Sequence, residues 1–292
     1  MTPAAAAALT VLKHPYGDED RVPIQAGRRA LREAGRGPGS LLVWRLHNGP
    51  TAQDTEIVRG RPGGLPLVVI LPEDPAHLSN PGFLHALESV RPLGILPGQP
   101  EPAIADLLAV LRRPPEDLAA EVTDYLAWRG IPVDRETGRL IRKTIALSAE
   151  LRSISALSRS LYLSRRALGR RFMNRGIPVP SHWLQFGRLL RVTIRLQNSD
   201  DSVLAVGYEL GYPDGFSLSN QMVRLTGYRP VDVREYLGWE WLLESWLRCE
   251  ADTGGLAPDL TEEILTAPTP RPVAPRPLPN RRADEAKRKA VG

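Results

Sequence analysis

The chain has 292 residues, enough for about two domains of ordinary size, each with a core of its own. A composition of 42% hydrophobic and 24% charged residues reads as globular, and the net charge of +5 is a mild basic bias that only hints at a polyanionic partner. The single cysteine, Cys249, rules out an internal disulfide and fits a cytoplasmic protein. No apolar stretch approaches the roughly 18 residues of a membrane span. The alanine run Ala4 to Ala8 has no basic segment before it and is too short for a signal-peptide core, so no membrane partner is expected.

Residues 1–38 mix alanine, charge, Gly and Pro without a sustained period, and read as a flexible N-terminal arm. It ends in Gly35-Arg36-Gly37-Pro38-Gly39, a turn rather than a phosphate loop: no strand leads into it and no Lys-Ser/Thr pair follows. Residues 39–115 change texture. The short apolar runs Leu41 to Trp44, Leu67 to Leu71 and Leu93 to Leu96 suit strands buried on both faces of a parallel sheet. Phe83 to Leu87 looks helical, and Ile104, Leu107, Leu108 and Leu111 have amphipathic helix spacing. Alternating strand and helix predicts a small α/β domain, weakly similar to a receiver. A working receiver needs acids at its strand ends. Arg45-Leu46-His47-Asn48 supplies none and Glu73 and Asp74 are the only candidates, so the expected role is dimerisation or interdomain contact, with no phosphotransfer.

Residues 116–149 read as a helical connector, with helices around Leu118 to Trp128 and from about Gly138 to Leu147. The next segment, 150–237, is a dense run of short helices. Between Glu150 and Asp200 there is no acidic residue, yet the stretch holds ten arginines: Arg152, Arg159, Arg165, Arg166, Arg170, Arg171, Arg175, Arg188, Arg191 and Arg195. Such an unbalanced cluster repels itself and suits a polyanion, and the planar guanidinium fork matches phosphate and guanine edges. A solvated basic face is the plain alternative.

Periodicity favours the first view. Ser153 to Leu161 reads as a short helix with Ile154, Leu157 and Leu161 on one side, Tyr162-Leu163 as a turn, and Ser164 as the N-cap of a second helix. On that helix Leu168 and Phe172 face inward, Arg166 and Arg170 point away, and Arg165 and Arg171 lie on the flanks. This is the helix-turn-helix plan. It repeats: Asp201-Ser202 caps a helix with Val203, Val206 and Leu210, Gly211 ends it, and Pro213-Asp214 turns into a helix with Leu218, Met222 and Leu225 inside and Phe216, Ser217, Asn220 and Arg224 outside. Gly227 closes that helix, and Pro230 opens a last one through Leu237. Between the units, about Ser181 to Gln197 forms a linker helix of roughly 25 Å at 1.5 Å per residue. Such a spacer suits two recognition helices about one DNA turn, roughly 34 Å, apart.

These residues resemble the DNA-binding domain of AraC/XylS-type transcription regulators. The resemblance rests on the linker helix, the Tyr-x-Leu-Gly-Tyr end at 208–212, and Gly211-Tyr212 through Gly227-Tyr228-Arg229-Pro230. It implies a seven-helix fold, double-stranded DNA as partner and sequence-specific transcriptional control. It places Arg166 and Arg170 on the base-contacting face of the first recognition helix, and Phe216, Ser217, Asn220 and Arg224 on that of the second. The chain departs from the pattern at Gly176-Ile177, Phe216, Asn220 and Leu225-Thr226, which leaves open a second unit that holds mainly the DNA backbone or reads bases weakly. Phe216 is expected to pack on the linker helix rather than touch a thymine methyl. For Asn220 an adenine edge, a phosphate and solvent all stay open.

Trp239, Trp241 and Trp246 are expected in packing, within or beside an amphipathic helix over 238–250. Residues 251–292 read as a disordered Pro-rich basic tail. The histidines His14, His47, His77, His85 and His182 show no metal-ligand spacing, and no catalytic triad or carboxylate pair stands out, so neither a cofactor nor an enzyme is expected. The expected fold is thus mainly α, with a small α/β domain ahead of a helical domain with two helix-turn-helix units. A protein-interaction module that has lost DNA binding is the competing reading; homodimerisation through the N-terminal domain stays open, and no effector is implied.

Overall fold

The computed structural model describes residues 8–25, 27–79, 81–131 and 133–266, and its fold is mainly helical with a small α/β domain at the N-terminus. Five strands form one sheet: β1 (Ala8–Leu12), β2 (Arg21–Ile24), β3 (Leu41–Arg45), β4 (Leu67–Ile70) and β5 (Gly94–Leu96), in the order β2-β1-β3-β4-β5. β3, β4 and β5 run parallel, while β1 is antiparallel to both its neighbours. Alternation sends Leu9, Val11, Leu42, Trp44, Leu67 and Val69 to one core and Leu12, Leu41, Val43, Val68 and Ile70 to the other. The first core is closed by α1 (Arg28–Ala34), α2 (Ala52–Arg59) and α3 (Pro81–Val90), and the second by α4 (Ile104–Arg112).

Three expected boundaries are corrected here. Residues 8–25 and 27–34 are part of the sheet domain, not a flexible arm: Leu9 pairs with Trp44 and Thr10 with Val43. Their signal is faint because the pairing partner is distant in sequence. β2 also carries Pro23, which only an edge strand tolerates. Residues 1–7 lie outside the described residues.

The second correction concerns 116–149. α5 (Leu118–Trp128) and α6 (Arg135–Leu147) are no connector: Val122, Tyr125, Ile141 and Ile145 share one core with Trp183, Leu189 and Leu190. A change in charge at residue 150 marks no change in packing. Beyond α6 come α7 (Ile154–Ser160), α8 (Arg165–Met173), α9 (Pro180–Gln197), α10 (Val203–Glu209), α11 (Gly215–Thr226) and α12 (Pro230–Glu235). Six helices therefore lie within 150–237, and α6, packed on α9, makes the seventh. Third, the chain after residue 250 is helical and packed as far as Thr266. α13 (Glu240–Asp252) is followed by α14 (Pro258–Thr266), which packs on it and buries Leu260 and Ile264, with Leu256 buried just ahead. Three apolar side chains one turn apart are too few to fold alone, but they suffice against a prepared surface. The rest of the expected tail, 267–292, lies outside the described residues.

The tryptophans pack as expected. Trp246 stacks on Phe186 at 4.2 Å and meets Trp183 edge-on at 4.6 Å, while Trp239 and Trp241 are buried. The α/β domain is fastened to the helices by a polar seam. Tyr16 Oη donates to the Gly39 carbonyl (2.7 Å) and accepts from the Leu237 N–H (3.0 Å). Arg91 is clamped between Glu121 (2.9 Å) and Glu240. Fully buried Glu244 accepts from Tyr125 Oη (2.7 Å) and Arg129 Nε (2.9 Å). Arg61 donates to the carbonyls of Leu65 and Val90 and lies over the Trp128 ring.

Candidate nucleic-acid interface

Two pairs of short helices are built on one plan. In the first, the Ser153 hydroxyl accepts from Ala156 N–H to start α7, and Ser164 accepts from Ala167 N–H (3.1 Å) to start α8. In the second, Ser202 caps α10 through Ala205 N–H (3.1 Å) and Asp214 caps α11 through Ser217 N–H (2.6 Å). Each turn needs one residue in the left-handed region: Tyr162 (φ 54°) in the first and Gly211 (φ 76°) in the second. At Gly211 the positive φ favours glycine, and the Arg152 guanidinium lies where a Cβ would project.

The buried faces correspond as well. Leu157 matches Val206, Leu168 matches Leu218 and Phe172 matches Met222, all fully buried. Arg166 and Arg170 are exposed on the opposite side of α8 and Arg165 is exposed at its first residue, on the flank; none of the three carries an ion pair or side-chain hydrogen bond among the described residues, and exposed Arg159 on α7 is alike. Sequence reasoning passed over Arg159 as a site residue, although it lies away from Leu157 on its helix, which was the available signal.

The other six arginines of the cluster have partners inside the protein. Arg171 is paired with Glu136, and Arg175 with Asp134 at 2.7 Å, so both tie α8 to the start of α6. Arg152 donates to the Gly211 carbonyl, joining the approach to α7 to the second turn. Buried Arg188 donates to the Leu151 carbonyl (2.6 Å), and Arg191 to the Ile145 carbonyl (3.1 Å). Burial lowers the pKa of both guanidinium groups. Arg195 meets Asp201 (2.8 Å) and Glu209 (3.2 Å). Arg171 therefore serves the fold, and only Arg159, Arg165, Arg166 and Arg170 of the cluster are without an ion pair or side-chain hydrogen bond among the described residues.

On α11 the outer face carries Phe216, 67% exposed, and exposed Asn220, whose side chain has no hydrogen-bond partner among the described residues. Phe216 does not pack on the linker helix: it occupies the second residue of α11, opposite the buried Leu218 and Met222. Arg224 is exposed but donates to Gln185 Oε1 of α9 at 2.8 Å. Gln221 reaches the same oxygen (3.2 Å) and accepts from Tyr212 Oη (2.6 Å). Ser217 is half-buried and engaged with the cap, its N–H and hydroxyl holding the Asp214 carboxyl below the usual carboxylate range.

In the α/β domain the two candidate acids are occupied locally. Glu73 accepts from Gln99 (2.6 Å), and Asp74 accepts from the Ala76 N–H (2.9 Å). Arg45, at the end of β3, pairs with Glu101. No helix among the described residues is long and apolar enough to cross a membrane. Compared with protein-family models, curated proteins and solved structures, the chain matches none.

Proposed function

We propose that the chain is a sequence-specific DNA-binding transcription regulator of the AraC/XylS type, acting in the cytoplasm, with α8 and α11 as recognition helices for successive major grooves. The observation that carries this reading is the exposed, unpartnered set Arg165, Arg166 and Arg170, placed on the second helix of a helix-turn-helix pair. Guanidinium groups without a carboxylate partner, two on the outer face of the helix and one on its flank, are best neutralised by a polyanion, and this motif offers its second helix to the groove. The repeat of the pair in α10–α11 and the seven helices α6–α12 support the family likeness.

The test is a gel-shift series at several salt concentrations, with Arg166→Ala and Arg170→Ala beside wild type. A lost base contact should weaken binding by about 1–3 kcal/mol and relax preference at one base pair, and a lost phosphate contact should lower the salt slope by about one. Melting temperatures should stay unchanged, because both side chains are exposed and neither makes an ion pair or hydrogen bond among the described residues. Equal affinity in both variants defeats the assignment. The second reading, a protein-interaction module, draws on the exposed apolar side chains of α10 and α11. It predicts no binding to random DNA whose log K falls linearly with log salt.

A further inference from the structure

The two helix-turn-helix pairs share caps, turns and buried residues, but their outer faces differ in chemistry. Aligned on the second-helix caps Ser164 and Asp214, Arg166 corresponds to Phe216 and Arg170 to Asn220. Aligned on the first-helix caps Ser153 and Ser202, Ser155 corresponds to Leu204 and Arg159 to Tyr208. Leu204, Tyr208 and Phe216 are 45%, 58% and 67% exposed. Leu204 and Tyr208 stand one turn apart on α10, and Leu204 lies against Gly215, the residue before Phe216. The first pair thus presents Arg159, Arg166, Arg170 and Ser155 where the second presents Tyr208, Phe216, Asn220 and Leu204: three exposed apolar side chains and one amide.

We propose that the two units read different base chemistry: α8 reads guanine edges and phosphates, and α11 reads a thymine-adenine box, with Phe216 against a thymine 5-methyl group and Asn220 on adenine. This rests on the DNA-binding reading above. The thymine methyl is the one apolar group that the major groove displays, and Asn pairs in bidentate fashion with adenine N6 and N7. Phe216 and Asn220 are four residues apart, so they lie on one stripe of α11, directly opposite Leu218 and Met222. Asn220 keeps its amide free for this pairing, whereas the nearest cation, Arg224, is held by Gln185. Leu204 and Tyr208 widen the apolar surface, so the methyl is met by a dry contact rather than by water. The site so recognised is bipartite and asymmetric: a G-containing box and a T·A box.

The experiment uses the full chain and a duplex selected from a random library for binding it. Deoxyuridine then replaces thymidine in one box at a time, which deletes the methyl and keeps every hydrogen bond. Wild type is expected to bind the uridine form of one box about fourfold more weakly per contacted methyl. Phe216→Ala should bind the thymidine duplex more weakly and lose the discrimination against uridine, with the salt slope unchanged because no phosphate contact is removed. Asn220→Ala should relax the adenine preference in the same box, while Arg166→Ala alters the other box and leaves uridine discrimination intact. The ring is exposed, so an unaltered melting temperature certifies the Phe216→Ala fold. The proposal is overturned if wild type binds thymidine and uridine duplexes alike, or if Phe216→Ala keeps the discrimination. It is overturned equally if Phe216→Ala changes only the oligomeric mass, since the surface then docks protein. If no duplex is selected at all, the DNA-binding reading itself fails, and that result is distinct from each of these.

Discussion

Gly169 sits in the middle of α8, one turn after Arg165, and a Cβ built there meets nothing within 4 Å. A helix interior normally disfavours glycine by about 0.5–1 kcal/mol relative to alanine. Nothing in the fold offsets that cost, because no neighbouring atom comes close enough to exclude a methyl group. On the DNA-binding reading proposed above, close approach of α8 to the duplex would account for it. Gly169→Ala should therefore raise stability by about 0.5–1 kcal/mol in urea unfolding and, at the same time, weaken DNA binding in a gel shift. A stabilised variant with unaltered affinity would show that this face never comes within methyl contact of the groove. The arginines beside it were legible as candidates from the alternation of Leu168 and Phe172 alone. Which of them were free was not, since Arg171 and Arg175 are claimed by Glu136 and Asp134, far back in the chain.

At the scale of elements, α11 depends on its cap. Asp214 accepts from Ser217 N–H, and this hydrogen bond, with the Ser217 hydroxyl, holds its carboxyl below the usual carboxylate range. The sign follows from linkage: a depressed folded pKa contributes stability that is complete above the unfolded value, about 3.9, and fades as pH falls through the folded one. Asp214→Asn keeps an acceptor and should melt close to wild type at neutral pH, whereas Asp214→Ala should melt lower. The gap between wild type and Asp214→Ala should narrow as the buffer is taken below about pH 4, where the unfolded-state carboxyl takes up its proton ahead of the native one. A gap that widens on acidification contradicts this account. The caps were readable in advance, because each is a contact across three residues. The pairing of β1 with β3 was not, because strand propensity in Ala8–Leu12 is weak until a partner is present.

For the whole molecule the decisive feature is the seam between the α/β domain and the helices. α13 carries Glu240 and Glu244 into that seam and also packs on α11, so one helix separates the α/β domain from the second outer face. Glu240 is buried and faces Arg91, whose guanidinium also holds Glu121. Removing one member of a buried pair leaves the other charge uncompensated, at about 3–5 kcal/mol. Arg91→Ala should lose stability of that order in calorimetry. Since the seam joins both parts, the loss should be seen by probes in each, through the cores around Trp44 and Trp246 alike. Loss confined to the α/β domain would mean that the two parts unfold independently. Arg91 gave no signal in the sequence, because its partners lie on α5 and α13.

The amino-acid sequence by itself determined what depends on near neighbours along the chain: the amphipathic helices, their serine and aspartate caps, the tight turns of both pairs, and the apolar runs of the parallel strands. Those features rest on contacts across three or four residues or on alternation within one element, so no knowledge of the rest of the chain is needed. Only the tertiary structure decided where the units begin and end, drawing β1 and β2 into the sheet, α1 onto its face, and α6 and α14 into the helical part. It also decided which of the arginines remain available to a partner. The reason is physical: a guanidinium is neutralised by whichever carboxylate or carbonyl folding carries to it, and for Arg171, Arg175 and Arg188 those groups come from other helices and the loops between them.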